Sequence, residues 1–158
     1  MNTIFLIVSF IVLTLATITD IAKGKVYWWS TLPVLLFGMI AQLFYLGAVD
    51  YLIRIAVIVA LFFLYEGFIG GGDAKLVMML TMLHGPISGL LTLGIASLLV
   101  FVVSFIKDPD LTMNSAKNGL IALQTRTLET AKGNGPKVLL APYMLVAFSL
   151  LVLVFGMY

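Results

Sequence analysis

The sequence predicts an all-α polytopic membrane protein with about six transmembrane helices. Of its 158 residues, 62% are hydrophobic and only 10% are charged, and the mean hydropathy is +1.17. The apolar residues form long blocks instead of alternating with polar ones, whereas soluble domains carry about a quarter charged residues. These observations exclude a soluble enzyme. The net charge of +2 argues against nucleic acid as a partner, and the lack of cysteine removes thiolate metal sites.

Apolar blocks define the predicted spans. They cover residues 4–18, 31–46, 51–68, 76–83, 87–106 and 138–155. The first block is followed, and not preceded, by basic residues, which is the reverse of a secretory signal, so we expect it to be retained. The block at 76–83 is shorter than the roughly 17 to 25 residues that cross a bilayer. It therefore requires protein neighbours.

The placement of basic residues predicts the orientation, because Lys and Arg accumulate in cytoplasmic loops. Only Arg54 falls on the opposite side, where a pair with Asp50 or snorkelling accommodates it. The other eight of the nine basic residues share one side: Lys23, Lys25, Lys75, Lys107, Lys117, Arg126, Lys132 and Lys137. We therefore expect the cytoplasmic membrane as the location, with both termini outside.

The polar segment at 107–137 is predicted to be a cytoplasmic loop within a single membrane-embedded domain, residues 1–158. Asn114 or Ser115 can cap an amphipathic helix that ends at the turn residues 133–136. A solvated connector resting on the lipid headgroups is the simpler interpretation of this segment. A substrate-docking role is the alternative.

Two acids at the ends of apolar helices are the candidate catalytic residues. Asp20 closes the first span, and Asp73 follows the glycine run at 70–72. The charge pattern puts both at the cytoplasmic ends of their helices, where they can meet. Two carboxyl groups in a low-dielectric site share a proton, so one can act as general base while the other polarises a peptide carbonyl and protonates the leaving nitrogen. Such chemistry needs neither metal nor cofactor, and the glycines allow close backbone approach.

Structural interpretations compete with the functional ones. Asp20 alone could cap a helix near Lys23, and the glycine run could be a hinge; it lacks the Lys-Ser or Lys-Thr ending of a nucleotide loop. His84 is interpreted as a turn residue, and Glu66 as a partner of Lys75, a loop-orienting group or a substrate contact. The methionines near His84 indicate helix packing.

Two other function classes stay open from the residues alone. A small proton or ion carrier could use Asp20, Glu66 and Asp73 as a relay. A non-catalytic subunit of a pilus or secretion machine would need neither aspartate.

Asp20 together with the stretch Gly-Gly-Gly-Asp-Ala-Lys-Leu at 70–76 resembles the type IV prepilin peptidases, membrane aspartic proteases with a GxGD motif. The Ala-Pro-Tyr stretch at 141–143 is similar to a proline-aromatic stretch before the last helix of that family. The resemblance implies that Asp20 and Asp73 form a catalytic dyad, with Gly70, Gly72 and Lys75 as motif positions. It also implies a prepilin-like or preflagellin-like protein substrate, whose short basic leader is cut at the cytoplasmic membrane face.

The sequence departs from the family pattern in two places. Residues 26–29 read Val-Tyr-Trp-Trp where the family often has Ile-Pro-Asn, which affects the loop after the first aspartate. The large bifunctional members carry a cysteine-bearing domain and methylate the new N-terminus, whereas this chain has no cysteine, which argues against methylation. The short length resembles that of the compact peptidases of tight-adherence or competence-type pilus systems, or that of archaeal preflagellin peptidases.

Overall fold

The computed structural model describes residues 3–65, 71–110, 112–114, 117 and 139–155. All regular elements in these ranges are helical, which confirms the all-α class. Glu66, Gly70 and the predicted amphipathic helix after Asn114, apart from its first residues, lie outside the described residues. The long helices are α1 (Thr3–Lys23), α2 (Trp28–Tyr45), α3 (Ala48–Tyr65), α4 (Gly71–His84), α5 (Pro86–Lys107) and α6 (Ala141–Phe155).

The outer surfaces of the helices are apolar, as expected of a membrane protein. Among the described residues, α1, α2 and α5 are long and apolar enough to cross a membrane, and α6 is an apolar but shorter helix. Isoleucine and leucine side chains recur every three or four residues along the exposed face of α1, at positions 4, 7, 11, 15 and 18. A continuous apolar stripe of this kind is stable against lipid and not against water. The number of spans, six, stays a prediction.

The central element of the bundle is α4. It packs against α2, α3 and α5 and also touches α1 and α6, and the side chains of residues 76–83 are at most 2% exposed. Its 14 residues extend over about 21 Å at about 1.5 Å per residue, less than the roughly 30 Å of a hydrocarbon core. The predicted requirement for protein neighbours is therefore met by burial on every side.

Side chains from other helices satisfy the carbonyl groups at the end of α4. The Arg54 Nη1 atom donates to the Met82 carbonyl at 2.7 Å, and the Gln42 Nε2 atom donates to the Leu83 carbonyl at 3.0 Å. The last carbonyls of a helix have no partner within it, and this short helix ends inside the bundle. Arg54 interacts electrostatically with Asp50, as predicted, but its contact with α4 was not foreseen.

A tight connection joins α4 to α5. Gly85 has φ +96°, in the region that favours glycine, and Pro86 begins α5. His84 holds this end in place, since its Nε2 atom lies 2.7 Å from the Ser9 hydroxyl of α1 and its ring packs on Phe148 of α6. His84 thus joins three helices, in keeping with its interpretation as a structural turn residue.

Candidate active site

Four helix termini converge at one end of the bundle, the end of α4 that is opposite His84. The C-terminus of α1 brings Asp20 there, the N-terminus of α4 brings Asp73, and the first residues of α2 and α6 lie beside them. We call this the aspartate end and the opposite one the histidine end. About 16 Å separates Asp73 from His84 along α4, at about 1.5 Å per residue.

Asp20 lies on the inner face of α1 and is 7% exposed. Its Oδ2 atom accepts a hydrogen bond from the backbone N–H of Ala141 at 3.3 Å. Ala141 is the first residue of α6, where backbone N–H groups lack a partner within the helix. Burial disfavours the ionised form of Asp20, and this hydrogen bond partly offsets that effect, because a peptide N–H stabilises a carboxylate more than a neutral acceptor.

Asp73 is the third residue of α4 and is partly buried. The charge of Asp20 acts on the Asp73 carboxyl group, although 53 positions separate the two residues in the sequence. The structure therefore brings together the two acids that were selected from the sequence. Two carboxyl groups that interact in this way influence each other's protonation.

Lys75 connects α4 to the loop between α1 and α2. Its Nζ atom donates to the Val26 carbonyl at 3.0 Å and lies 4.9 Å from the centre of the Trp28 ring. These contacts hold the loop after Asp20 against the helix that carries Asp73. This contact with the loop was not predicted, and Glu66, the suggested partner of Lys75, lies outside the described residues.

Gly72 also packs against the same loop. A Cβ atom at this position would lie 3.1 Å from both Cβ and Cγ2 of Val26, and the Val26 side chain is buried. Gly72 is helical, and the glycines of the described residues with positive φ are Gly24 and Gly85. Its missing side chain therefore serves helix-to-loop packing and not an unusual backbone conformation.

The loop that contains Val26 and the start of α6 are the parts of this site that sequence reasoning did not assign to it. The Val-Tyr-Trp-Trp stretch was noted only as a departure from the family pattern. The signal for α6 was the Ala-Pro-Tyr stretch, because Pro is frequent at the beginning of helices. Neither pattern indicates which side chain a backbone N–H will meet.

Among the described residues, the other polar features lie away from this site. Within the described ranges, no group of three or more His, Asp or Glu side chains is arranged to hold a metal ion. A cleft of about 400 Å³ that is lined by Asp50, Arg54, His84 and Ser88 lies at the histidine end, away from the carboxyl pair. The chemistry available at the aspartate end is thus that of two coupled carboxyl groups flanked by two helix N-termini.

Comparison with known protein families matches residues 7–105 to the type IV leader peptidase family. No curated protein and no solved structure gives a significant match. The matched segment runs from the first turns of α1 almost to the end of α5, so it includes Asp20, Asp73 and Lys75. It covers well over half of the 158 residues. The chain therefore belongs to the type IV leader peptidase family.

Proposed function

We propose that the protein is an aspartic endopeptidase that removes the short basic leader of prepilin-like or preflagellin-like proteins at the cytoplasmic face of the membrane. The observation that carries this proposal is that α1 and α4 bring Asp20 and Asp73 to the same end of the bundle. Family membership supplies the reaction class, cleavage of a peptide bond. The carboxyl pair supplies the general base and the general acid that this reaction needs.

The hydrogen bond from Ala141 supports different roles for the two acids. Asp20, whose carboxylate accepts that bond, is the ionised member and takes a proton from the attacking water. The water oxygen bonds to the carbonyl carbon, while the protonated Asp73 donates a hydrogen bond to the carbonyl oxygen. Asp73 then gives its proton to the leaving nitrogen as the C–N bond breaks. The proton gained by Asp20 restores the shared proton of the pair.

The glycine motif and Lys75 position this pair. Lys75 binds the Val26 carbonyl and Gly72 packs on the Val26 side chain, so both hold the loop after Asp20 against the start of α4. We also propose Gly70 and Glu66, which precede Asp73 in the sequence, as substrate-positioning or loop residues. The whole chain acts as one domain, with residues 107–137 as its cytoplasmic loop.

The aspartate end faces the cytoplasm in this proposal, and the protein spans the membrane several times with both termini outside. Lys23, Lys25 and Lys75 lie at this end, as the accumulation of basic residues on the cytoplasmic side requires. Arg54 is the exception to this distribution of basic residues, and it donates a hydrogen bond to the Met82 carbonyl at the end of α4. A carrier is less well supported, because Asp20 and Asp73 lie together at one end of the bundle and carriers place their sites near the midplane.

Cleavage of a coexpressed prepilin-like substrate tests the proposal, with loss of the leader followed as a gel shift. Asp20→Asn and Asp73→Asn should each abolish cleavage while the protein remains in the membrane fraction, because neither acid can perform the other's role. The two losses should not be additive. Asp50→Asn, which alters an acid at the histidine end, is the matched control and should cleave normally. Substantial activity in either single aspartate variant would refute the dyad.

A further inference from the structure

An aromatic surface borders the aspartate end. Trp28 and Trp29 are 38% and 62% exposed, and the Tyr27 ring stacks on Trp29 with centroids 6.3 Å apart. All three rings combine an apolar body with a polar N–H or O–H group. Side chains of this type concentrate where hydrocarbon meets water, because one part of the ring is desolvated while the other keeps a hydrogen bond.

Lysine ammonium groups lie close to two of these rings. The Lys23 Nζ atom lies 5.6 Å from the centre of the Tyr27 ring, the Lys75 Nζ atom lies over Trp28, and Lys25 is exposed. Cations beside aromatic rings at the end of an apolar helix match the layering of a lipid surface, where phosphate groups lie just outside the glycerol and carbonyl region. The charge of this surface is therefore complementary to anionic phospholipid.

A second aromatic set lies at the other end of α2, the helix that begins at Trp28. Phe44 and Tyr45 are 80% and 71% exposed. Helix α2 has 18 residues, so its two ends are about 27 Å apart at about 1.5 Å per residue. This separation is close to the roughly 30 Å thickness of a bilayer's hydrocarbon core. The two aromatic sets are thus spaced as the two interfaces of one membrane.

We propose that Tyr27, Trp28 and Trp29, with Lys23 and Lys25, form a docking surface for the headgroup layer of an anionic phospholipid bilayer. Tyr27 lies in the loop before α2 and the two tryptophans lie in the first turn of α2, and this loop is joined to α4 by the hydrogen bond from Lys75 to Val26. It is joined to α1 directly through Gly24, whose N–H donates to the Asp20 carbonyl at 2.7 Å. The docking surface therefore sets the depth of the carboxyl pair in the membrane.

Tryptophan fluorescence reports this surface alone, because the chain contains two tryptophans and both belong to it. The protein is reconstituted in vesicles of phosphatidylglycerol and phosphatidylcholine whose acyl chains are brominated near the headgroup or near the methyl end. Shallow bromines should quench the emission at least twice as strongly as deep ones. The control variant Trp28→Phe/Trp29→Phe/Leu98→Trp moves the fluorophore to the exposed middle of α5, where the order should reverse.

Two fluorescence results would overturn the docking surface. Stronger quenching by deep bromines would put the rings in the hydrocarbon. Quenching by aqueous acrylamide without any effect of brominated lipid would put them in water, where a protein partner becomes the alternative occupant. Neither measurement requires peptidase activity.

The depth-setting role rests on the proposed function and has its own measurement. Trp29→Ala, which leaves the contact between Lys75 and Trp28 in place, should cleave a membrane-embedded substrate in vesicles about tenfold more slowly than the unmodified protein. The same variant should cleave a short soluble peptide in detergent at an unchanged rate. If the rate of the variant relative to the unmodified protein is the same for both substrates, the depth-setting role is refuted. An unmodified protein that cleaves neither substrate would instead refute the proposed function and leave the fluorescence result standing.

Discussion

At the scale of single residues, the two acids differ in their surroundings and not in their chemistry. Asp20 is buried and accepts the Ala141 N–H, whereas Asp73 is partly buried in the first turn of α4. Both acids were predicted from the sequence, because an ionisable group at the end of an apolar block is conspicuous. Ala141 was not predicted, since its contribution comes from the backbone 121 positions away and has no signature in the side-chain pattern.

Replacing Ala141 with proline removes the N–H donor and should lower kcat for leader cleavage by roughly 10- to 100-fold. Hydrogen bonds to charged groups contribute about 1.5 to 3 kcal/mol, and the loss falls on the ionised member of the pair. Proline is well accepted at the first position of a helix, so the KM and the melting temperature in detergent should change little.

The control for this prediction is Ala141→Val, which adds similar bulk at this buried position but keeps the donor. It should retain most of the activity. Full kcat in the proline variant, or an equal loss in the valine variant, would show that the hydrogen bond does not act on Asp20.

Gly72→Ala should reduce both stability and cleavage, because the new Cβ atom would lie 3.1 Å from the Val26 side chain. Overpacking of this kind typically costs about 1 to 3 kcal/mol. It would also push the α1–α2 loop, and Asp20 with it, away from Asp73. The measurements are the melting temperature in detergent and the rate of leader cleavage.

The double variant Gly72→Ala/Val26→Ala tests the cause of that loss. Removing the Val26 methyl groups makes room for the new Cβ, so the double variant should regain activity relative to Gly72→Ala alone. The double variant could instead be less active than Gly72→Ala alone, because the loss caused by Val26→Ala is added to it. That result would show that the contact between Gly72 and Val26 does not position the pair.

At the scale of helices, hydropathy predicted where the elements lie but not how their ends are satisfied. The six apolar blocks coincide with the six long helices of the described ranges, although α1 continues past residue 18 to Lys23 and α2 begins at Trp28. The short fourth block was predicted to need neighbours. Which side chains complete α4 could not be read from the sequence, because Gln42 and Arg54 reach it from two other helices.

Gln42→Met should lower the melting temperature in detergent by a few degrees. Gln42 is 4% exposed, and methionine has a similar length but cannot donate to the Leu83 carbonyl. A buried polar group without a partner costs about 1 to 3 kcal/mol. Leu43→Met, on the exposed face of the same helix turn, is the control and should melt as the unmodified protein does. Indistinguishable melting of the two variants would show that the bond to α4 is not needed for stability.

At the scale of the whole molecule, the two ends of the bundle differ in the helix termini and polar side chains that they bring together. The aspartate end gathers four helix termini and the coupled carboxyl groups, while the histidine end closes α4 with His84, Arg54 and Gln42. Family and membrane character could be predicted from the sequence because short motifs and hydropathy are local properties. The convergence of four termini could not, because it depends on contacts between helices that are far apart in the chain.

The orientation of the bundle gives the last prediction, which single cysteines can test because the chain contains none. Gly47→Cys lies in the connection between α2 and α3 at the histidine end, where an added side chain meets open space. Lys25→Cys lies exposed at the aspartate end, and Asn134→Cys lies in the predicted cytoplasmic loop. A membrane-impermeant maleimide added to intact cells should label Gly47→Cys, whereas the other two should be labelled only after permeabilisation, because basic residues accumulate on the cytoplasmic side. The reverse pattern would put the aspartates outside the cell, where a leader displayed at the cytoplasmic face could not reach them.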